Sequence, residues 1–468
     1  MYEAATLPKR RLALAALSFS MLLPSLGTSI ANVALPALST AFDASFQEVR
    51  WVVLSYLVSI TALIVGAGRL GDLMGRRRLL LAGVALFTVA SAASGTAQTL
   101  WLLIAARAVQ GLGAAIMMAH TVALVSEIVP TERTGAAMGL LGAMSAVGTA
   151  LGPALGGFLI SAFGWPAIFH VNVPLGLVAF LIAWRSLPRT PPAQAGTRFD
   201  VSGTLLLAIG LAAYALAMTT GRGGFGAINI ALLAAASLVL LLFFAVEKTA
   251  AAPLIRLALF RNVTLGAGFA MSLLVSSVIM ATLVVGPFYL SGALDLAPAS
   301  VGLVLSVGPV TAALTGIPAG RLADRVGATR MTTMGLTAMA LGSSALALIP
   351  PTGGIPGYML PTIVITAGYA IFQTANNTSV MGEATSDQRG MISGMLNLSR
   401  YLGLITGTSA LGAVFAFAGS IQGASSSAAA VTAGMRATFA VGSIFIAAAL
   451  LVDLITRGGR GRSPGPRA

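Results

Sequence analysis

Residues 68–78 of this chain read GRLGDLMGRRR, and residues 320–330 read GRLADRVGATR. The two stretches share glycine, arginine, leucine and aspartate at matching positions, and each follows a long apolar run. A further pair of acidic and basic positions recurs with the same internal spacing, first as Glu127 and Arg133 and then as Glu383 and Arg389. Internal repetition of this kind predicts a chain built from two related halves.

The composition places those halves in a membrane. Of the 468 residues, 57% are hydrophobic and only 9% are charged, whereas soluble domains carry roughly 25% charged residues. A surface so poor in charge must face lipid. Cysteine is absent and there are two histidines, which excludes a disulfide framework and a thiolate nucleophile. No metal cluster or cofactor loop is apparent in the sequence, so we predict no enzyme, no catalytic residues, no metal and no cofactor.

Apolar stretches recur along the chain, each near the ~20 residues that a helix needs to cross a hydrocarbon core. They show little strand alternation, and backbone groups in lipid must be satisfied within helices or a closed barrel. We therefore predict an all-α membrane protein with about fourteen transmembrane helices. The predicted spans are 12–37, 51–67, 79–97, 100–125, 136–159, 167–184, 201–220, 228–246, 265–290, 301–319, 331–349, 358–381, 391–417 and 433–455.

Placing both chain ends in the cytoplasm puts nearly all lysines and arginines in cytoplasmic connections. The exceptions are Arg50, Arg107, Arg222 and Arg436. This asymmetry follows the positive-inside rule and predicts an even number of helices. It also accounts for the net charge of +14 without nucleic-acid binding, which needs a soluble basic face. We predict a multi-pass protein of a bacterial inner or plasma membrane.

The two copies of the repeat lie further apart than six helices require, and the runs at 201–220 and 228–246 account for the excess. The predicted architecture is six helices, an inserted pair, and six helices. The predicted domains are a bundle at 1–190, the inserted helices at 191–255, a second bundle at 256–456 and a disordered tail at 457–468. Parallel halves of this kind place a substrate site between them near the membrane midplane.

The repeated loop carries chemistry as well as topology. Its glycines allow a tight turn and a close approach of helices, and an aspartate flanked by arginines can hold one gate conformation shut through charge-assisted hydrogen bonds. The predicted gate residues are Gly68, Gly71, Asp72, Gly75, Arg76 and Arg77, with Asp324 and Arg325 in the second copy. The predicted extension of the gate network is Glu127, Arg133, Glu383 and Arg389. A plain positive-inside loop and ion pairs without a switching role are the alternatives.

The fourth predicted span contains RAVQGLG at 107–113. An arginine inside a span is costly and marks a functional site by default, and Gln110 shares the helical face of Arg107. Because Arg107 is near the predicted start of the helix, snorkelling outward is the alternative.

The fifth predicted span contains GTALGPALGG at 148–157. Small residues at four-residue spacing let helix backbones pack closely, and Pro153 kinks the helix. The motif residues are Gly148, Gly152, Pro153, Gly156 and Gly157. Generic packing of membrane helices is the alternative interpretation.

With these motifs in this order, the chain resembles the major facilitator superfamily, and within it the fourteen-helix drug:proton antiporter branch of EmrB/QacA-like carriers. The resemblance covers nearly the whole chain. It implies a secondary transporter that works by alternating access, with the fifth-helix motif associated with antiport. One position departs from the pattern: drug antiporters usually carry an aspartate in the first helix where this chain has Gly27.

No acidic residue is predicted at mid-membrane depth, and a buried carboxylate is the usual proton carrier and partner of a cationic drug. Neutral, zwitterionic or anionic amphiphiles therefore suit the predicted cavity better than permanent dications. If protons are coupled, His120 or Glu127 must carry them; for His120, a satisfied polar residue between helices is the alternative. Asp453 precedes Arg457 by one helical turn, which predicts an intrahelical ion pair.

Polar residues of the predicted spans are candidates for the substrate cavity, although they also hold helices together. They are Asn32, Tyr56, Tyr369, Gln373, Asn376, Asn377 and Asn397. The overall prediction is a transporter, functional as a monomer, that exports small amphiphilic compounds or drugs by proton antiport. A facilitator or proton symporter for a small metabolite is the alternative, and a non-transporting sensor or scaffold is a third.

Overall fold

A computed structural model describes residues 7–129, 134–188, 200–219, 226–249, 262–383, 389–420 and 428–460. The regular structure within these ranges is entirely helical. Thirteen of the helical stretches there are long and apolar enough to cross a membrane. An all-helical membrane fold is thereby confirmed, because helices satisfy their backbone hydrogen bonds internally where lipid offers none.

The chain forms two compact units, and the first contains Met1–Leu254 together with Leu296–Ser306. Its helices are α1 (Leu7–Val33), α2 (Leu35–Ala41), α3 (Phe46–Val49), α4 (Trp51–Met74), α5 (Arg76–Gly95), α6 (Leu100–Ile128), α7 (Thr134–Phe163), α8 (Ala167–His170), α9 (Asn172–Ser186), α10 (Val201–Thr219) and α11 (Ala227–Thr249). Within this unit α1 packs against α7, α6 packs against both α4 and α5, and α10 pairs with α11.

The second unit contains Ile255–Asp295 and Val307–Ala468. Its helices are α12 (Val263–Gly292), α13 (Pro298–Val326, whose first residues belong to the first unit), α14 (Ala328–Ala347), α15 (Gly354–Gly382), α16 (Arg389–Thr406), α17 (Gly412–Ser420) and α18 (Ala428–Arg460). α14 pairs with α15, and α18 packs against both α12 and α14.

The repeated sequence gives the same backbone turn in each unit. α4 ends at Met74 and α5 begins at Arg76, and the residue between them, Gly75, has φ of 90°. In the second unit Gly327 separates α13 from α14 with φ of 88°. Residues with a Cβ rarely adopt positive φ, so glycine at this position of both copies is explained by the turn.

Close helix crossings repeat in the same way. A Cβ on Gly113 of α6 would lie 2.9 Å from the carbonyl oxygen of Gly83 on α5. A Cβ on Gly368 of α15 would lie 2.7 Å from the carbonyl oxygen of Gly335 on α14. Small residues let helix backbones touch in this manner. The two units therefore share a turn and a helix crossing at matching places in the sequence repeat.

Several predicted spans differ from the helices in detail. The span predicted at 167–184 is two helices, α8 and α9, and the one predicted at 391–417 is interrupted by a π-helical segment at Gly407–Leu411. π-Helical turns accommodate one extra residue within a helix. α14 occupies the span predicted at 331–349 but is not among the thirteen helices apolar enough to span.

Candidate functional site

Arg107 of α6 is fully buried inside the first unit. Its Nε donates to the Val52 carbonyl oxygen at 2.9 Å, and Nη2 donates to the Gly27 carbonyl oxygen at 3.2 Å. Nη1 donates to Oε1 of Gln110 at 2.5 Å. Arg107 therefore joins α1, α4 and α6 from within, and the snorkelling alternative does not describe it.

The aromatic rings of Tyr56 and Phe169 also lie near this charge. The Arg107 guanidinium carbon lies 4.1 Å from the centroid of the Tyr56 ring, within the range of a cation–π interaction. The Tyr56 hydroxyl donates to the Pro24 carbonyl oxygen at 2.9 Å, and Gln110 Nε2 donates to Ser91 Oγ at 2.6 Å. The described residues thus hold the arginine with carbonyls, an amide and a π face, and they give it no carboxylate partner.

Gly27 contributes its carbonyl oxygen to this arrangement, and there is little room for a side chain at this position. A Cβ at Gly27 would lie 3.3 Å from Phe87 Cζ and 3.5 Å from the Tyr56 hydroxyl oxygen. Gly27, the position at which drug antiporters usually carry an aspartate, is therefore in direct contact with Arg107 and Tyr56. Among the described residues, the positive charge of Arg107 is stabilised by carbonyl and amide dipoles and by aromatic ring faces.

The glycine motif of α7 packs against α1. A Cβ on Gly148 would lie 2.5 Å from the Leu22 carbonyl oxygen, and one on Gly156 would lie 2.9 Å from Ile30 Cγ1. A Cβ on Gly152 would overlap the Ser29 side chain. Gly157 lies on another face, where its Cβ would be 3.0 Å from Gly302 Cα in the part of α13 that belongs to the same unit. The glycines of the motif are thus contact points between backbones.

A hydroxyl pair reinforces the α1–α7 contact: the Ser25 and Ser145 Oγ atoms are 2.6 Å apart. We expect Ser145→Ala to lower the free energy of unfolding by roughly 0.5–1.7 kcal/mol, the range for interhelical hydrogen bonds in membranes. Reversible unfolding in mixed micelles measures this. Ser186→Ala is the matched control, because the Ser186 hydroxyl donates to the Ile182 carbonyl oxygen of its own helix. Equal losses in the two variants would contradict the expectation.

The gate motif lies where α4 ends and α5 begins. Its Gly71 is a position where the neighbouring helix leaves no room for a side chain. A Cβ at Gly71 would lie 2.7 Å from Nδ1 of His120 and closer still to Cε1. His120 is on α6 and is fully buried. The motif glycine and the candidate proton carrier are therefore in contact, which the sequence did not predict.

The remaining gate residues are described in part. Arg77 Nη2 donates to the Trp184 carbonyl oxygen at the end of α9, at 2.5 Å, and Arg76 is half-buried. Glu383, at the end of α15, accepts a hydrogen bond from Asn262 Nδ2 at 3.2 Å. The surroundings of the other members lie outside what the structure describes. They are Arg133, Gly68 and the side chains of Asp72, Glu127, Asp324, Arg325 and Arg389.

The predicted cavity residues occupy different environments. Asn32 is fully buried; its Nδ2 donates to the Thr28 carbonyl oxygen at 2.8 Å, while Oδ1 has no hydrogen-bond partner among the described residues. Asn376 is buried and Asn377 is exposed. The half-buried candidates are Tyr369, Gln373 and Asn397. Of this set, Tyr56 contacts Arg107.

Sequence reasoning missed several members of the Arg107 cluster. Ser91, Val52 and the Gly27 carbonyl contribute through positions on other helices, and no local pattern marks them. A second arginine, Arg50, is also fully buried, with its guanidinium carbon 4.7 Å from the Phe46 ring centroid. The one available signal was that Arg50 is among the few arginines outside the predicted cytoplasmic connections.

Helices of spanning length, a buried intramembrane arginine and a repeated turn in two units define a membrane carrier. A family model of the Major Facilitator Superfamily matches residues 17–408. The chain belongs to that superfamily, a family of transporters. It is a multi-pass membrane transporter acting on a small-molecule substrate, with bacterial relatives.

Two such relatives show the range of activities. The chain is 30% identical over 392 residues to the riboflavin transporter RibZ of Clostridioides difficile (strain 630), covering 84% of this chain and 85% of that one. It is 32% identical over 418 residues to the multidrug resistance protein Stp of Mycobacterium tuberculosis (strain CDC 1551 / Oshkosh), covering 86% and 76%. A crystal structure of a bacterial homologue of the human lysosomal transporter Spinster has the same fold, with TM-score 0.73, 13% identity and coverage of 99% and 100%.

Proposed function

We propose that this protein exports a small amphiphilic compound or drug across the inner membrane by proton antiport and alternating access. The buried Arg107 cluster carries the proposal, because an intramembrane charge held by pre-arranged dipoles marks a working site in a membrane protein. Similarity to the drug-resistance protein Stp supports the direction of transport. The proposal includes the fourteen-helix EmrB/QacA-like layout, two six-helix bundles around an inserted pair, cytoplasmic termini and a functional monomer.

The electrostatics of the cluster favour substrates that are neutral, zwitterionic or anionic. Arg107 is fully buried and the described residues give it no carboxylate partner, so the net local charge is positive. A permanent dication would be repelled in this low-dielectric setting. The unpartnered Oδ1 of Asn32, on the same helix as Gly27, is an acceptor for a substrate donor or a water molecule, since buried amide oxygens are normally hydrogen-bonded.

His120 is the proposed proton carrier, with Glu127 as the alternative. Histidine is the side chain that changes charge between pH 5 and pH 8, and His120 is fully buried against Gly71 of the gate motif. Protonation there would add charge beside the turn between α4 and α5. Proton release by the detergent-solubilised protein on addition of a transported compound, lost in His120→Ala, is the expected result.

Transport of a metabolite is the second candidate, favoured by the similarity to the riboflavin transporter RibZ. Riboflavin is itself a small amphiphile with an extended aromatic ring system, which fits the same electrostatics. Proteoliposomes with an imposed pH gradient separate the candidates. Export by antiport predicts that the proton gradient drives an amphiphilic dye against its own concentration gradient, whether or not riboflavin competes. Transport of riboflavin without transport of the dye would establish the second candidate.

Substrate charge is testable at Gly27. We expect Gly27→Asp to increase export of monocationic dyes several-fold, because the new carboxylate would neutralise Arg107 next to it. Cell-based efflux of a cationic and an uncharged dye, at equal protein abundance, is the measurement. Gly27→Asn adds nearly the same volume against Phe87 without the charge, and an equal gain in Gly27→Asn would show that charge is not the cause.

A further inference from the structure

Arg400 is a charged side chain within a membrane-spanning part of the second unit. It lies on α16, inside the apolar stretch Gly394–Ser420, which is long enough to cross a membrane. The charge distribution of the sequence counts Arg400 with the cytoplasmic connections. At 1.5 Å per residue, however, it lies ~16 Å along the helix axis from the first residue of α16, Arg389. The structure therefore places this arginine within the membrane.

Arg400 differs from Arg107 in its exposure. Arg107 is fully buried, and its Nε, Nη1 and Nη2 atoms all donate to acceptors of the first unit. Arg400 is half-buried. A charged group in contact with hydrocarbon is costly, so the accessible part of such a side chain faces water or a polar cavity. A solute in that polar space can reach Arg400, whereas Arg107 is enclosed.

Two phenol groups lie beside the Arg400 guanidinium. The hydroxyl of Tyr369 on α15 is its hydrogen-bond partner, and Tyr401 is its neighbour on α16. A phenol carries no charge near pH 7, so neither group neutralises the arginine. A guanidinium has five N–H donors in a planar fork, and a single phenol oxygen accepts from only part of that fork.

The described carboxylates of the second unit lie elsewhere. Glu383 follows the last residue of α15, ~21 Å along that helix from Tyr369 at 1.5 Å per residue. Asp453 on α18 accepts a hydrogen bond from α14, and Asp295 is exposed in the connection between α12 and α13. Within the part of the chain that the structure describes, the groups acting on the charge of Arg400 are the two phenols.

A positive charge with a partly open donor fork is complementary to an acidic group. We propose that Arg400, with Tyr369 beside it, binds the carboxylate of the transported amphiphile. A planar guanidinium matches the two oxygens of a carboxylate through bidentate hydrogen bonds. The phenol rings offer aromatic surface to the apolar part of the same compound. Gln373, which is half-buried one turn after Tyr369, adds an amide on the same face of α15.

The proposal rests on the proposed transport function and narrows its substrate class. The cluster around Arg107 favours neutral, zwitterionic or anionic compounds, whereas recognition by Arg400 selects those that carry an acidic group. Because the two arginines belong to different units, substitutions at each of them separate the two contributions.

The experiment measures equilibrium binding to the full-length protein in detergent, without a proton gradient. The probes are 1-naphthaleneacetate and 1-naphthaleneacetamide, which differ in charge but hardly in shape, and the same acid and amide pair of indole-3-acetate and of 1-pyrenebutyrate. We expect the wild type to bind at least one acid roughly tenfold more tightly than its amide, as a hydrogen bond to a charged group allows. Equal binding, or no binding, of acid and amide in every pair would overturn the proposal.

Variants of the site assign the preference to Arg400. Arg400→Gln is expected to abolish the preference for the acid and to leave the affinity for the amide within about twofold. Arg400→Lys keeps the charge without the planar fork and should retain part of the preference. Tyr369→Phe removes the hydroxyl partner and should weaken binding of the acid by about threefold.

Arg436→Gln is the matched control, since Arg436 is a half-buried arginine of another spanning helix, α18, and donates to the Ile349 carbonyl oxygen. It is expected to keep the full preference for the acid. Loss of the preference in Arg107→Gln but not in Arg400→Gln would overturn the proposal by assigning acid recognition to the first unit.

An equal loss of acid and amide binding in Arg400→Gln would also overturn the proposal. That result would mark Arg400 as a structural residue paired with a carboxylate such as Asp324 or Asp387, whose side chains lie outside the described residues. If Arg400→Gln does not fold, Arg400→Lys and Tyr369→Phe decide, and an unchanged preference in both would be contrary evidence. Failure of dye export in proteoliposomes would count against the export proposal alone, because binding is measured without transport.

Discussion

Arg107→Ala should reduce transport by about 100-fold. The substitution leaves the Val52 and Gly27 carbonyl oxygens and the Gln110 amide oxygen without the donor that they share. Each buried acceptor deprived of its donor costs about 1–3 kcal/mol, and a barrier increase of about 3 kcal/mol corresponds to roughly a 100-fold slower step. Initial rates of dye export in proteoliposomes, at matched protein density, measure the loss.

Two further variants separate the roles of charge and geometry. Arg107→Lys keeps the charge but has three donors on a flexible stem instead of a planar fork, so we expect an intermediate loss of about tenfold. Arg436→Ala is the control, because the Arg436 guanidinium bonds to the single carbonyl oxygen of Ile349. Transport within about threefold of the wild type is expected there. Full activity of Arg107→Ala would remove Arg107 from the proposed site.

Gly71→Ala should reduce transport by about 10–100-fold. The added methyl group would overlap the buried His120 ring. Overpacking of this kind costs about 1–3 kcal/mol. When that cost destabilises one conformation of the gate, it corresponds to a loss of this size in the transport rate. His120→Ala removes the obstructing ring. The double variant Gly71→Ala, His120→Ala should therefore fold as stably as His120→Ala alone, which thermal unfolding measures.

The double variant also separates packing from proton coupling. If His120 carries the proton, Gly71→Ala, His120→Ala regains stability but not pH-gradient-driven transport. Gly316→Ala is the control for adding a methyl group to a helical glycine, because its Cβ would meet nothing within 4 Å; we expect no loss. Equal destabilisation of the single and double variants would refute the Gly71–His120 contact as the cause.

The sequence by itself determined the membrane setting, the two-part repeat and the family. These features depend on composition, on the length of the hydrophobic runs and on glycine and arginine at fixed local spacing. All of these can be read directly from the amino-acid sequence. Gly75 and Gly327 illustrate this, because the turn at each of them requires a positive φ, which is a local property of the chain. The family match over residues 17–408 confirmed the predicted family.

Only the tertiary structure decided which residues meet. It brought the Gly27 and Val52 carbonyls and the Tyr56 ring to Arg107, His120 to Gly71, and Thr333 to Asp453. Each contact joins residues on different helices, and its existence depends on how those helices cross, which no local periodicity encodes. A buried charge in lipid must be satisfied by whatever polar groups its neighbours supply, and in this protein the Gly27 and Val52 carbonyl oxygens and the Gln110 amide oxygen supply them.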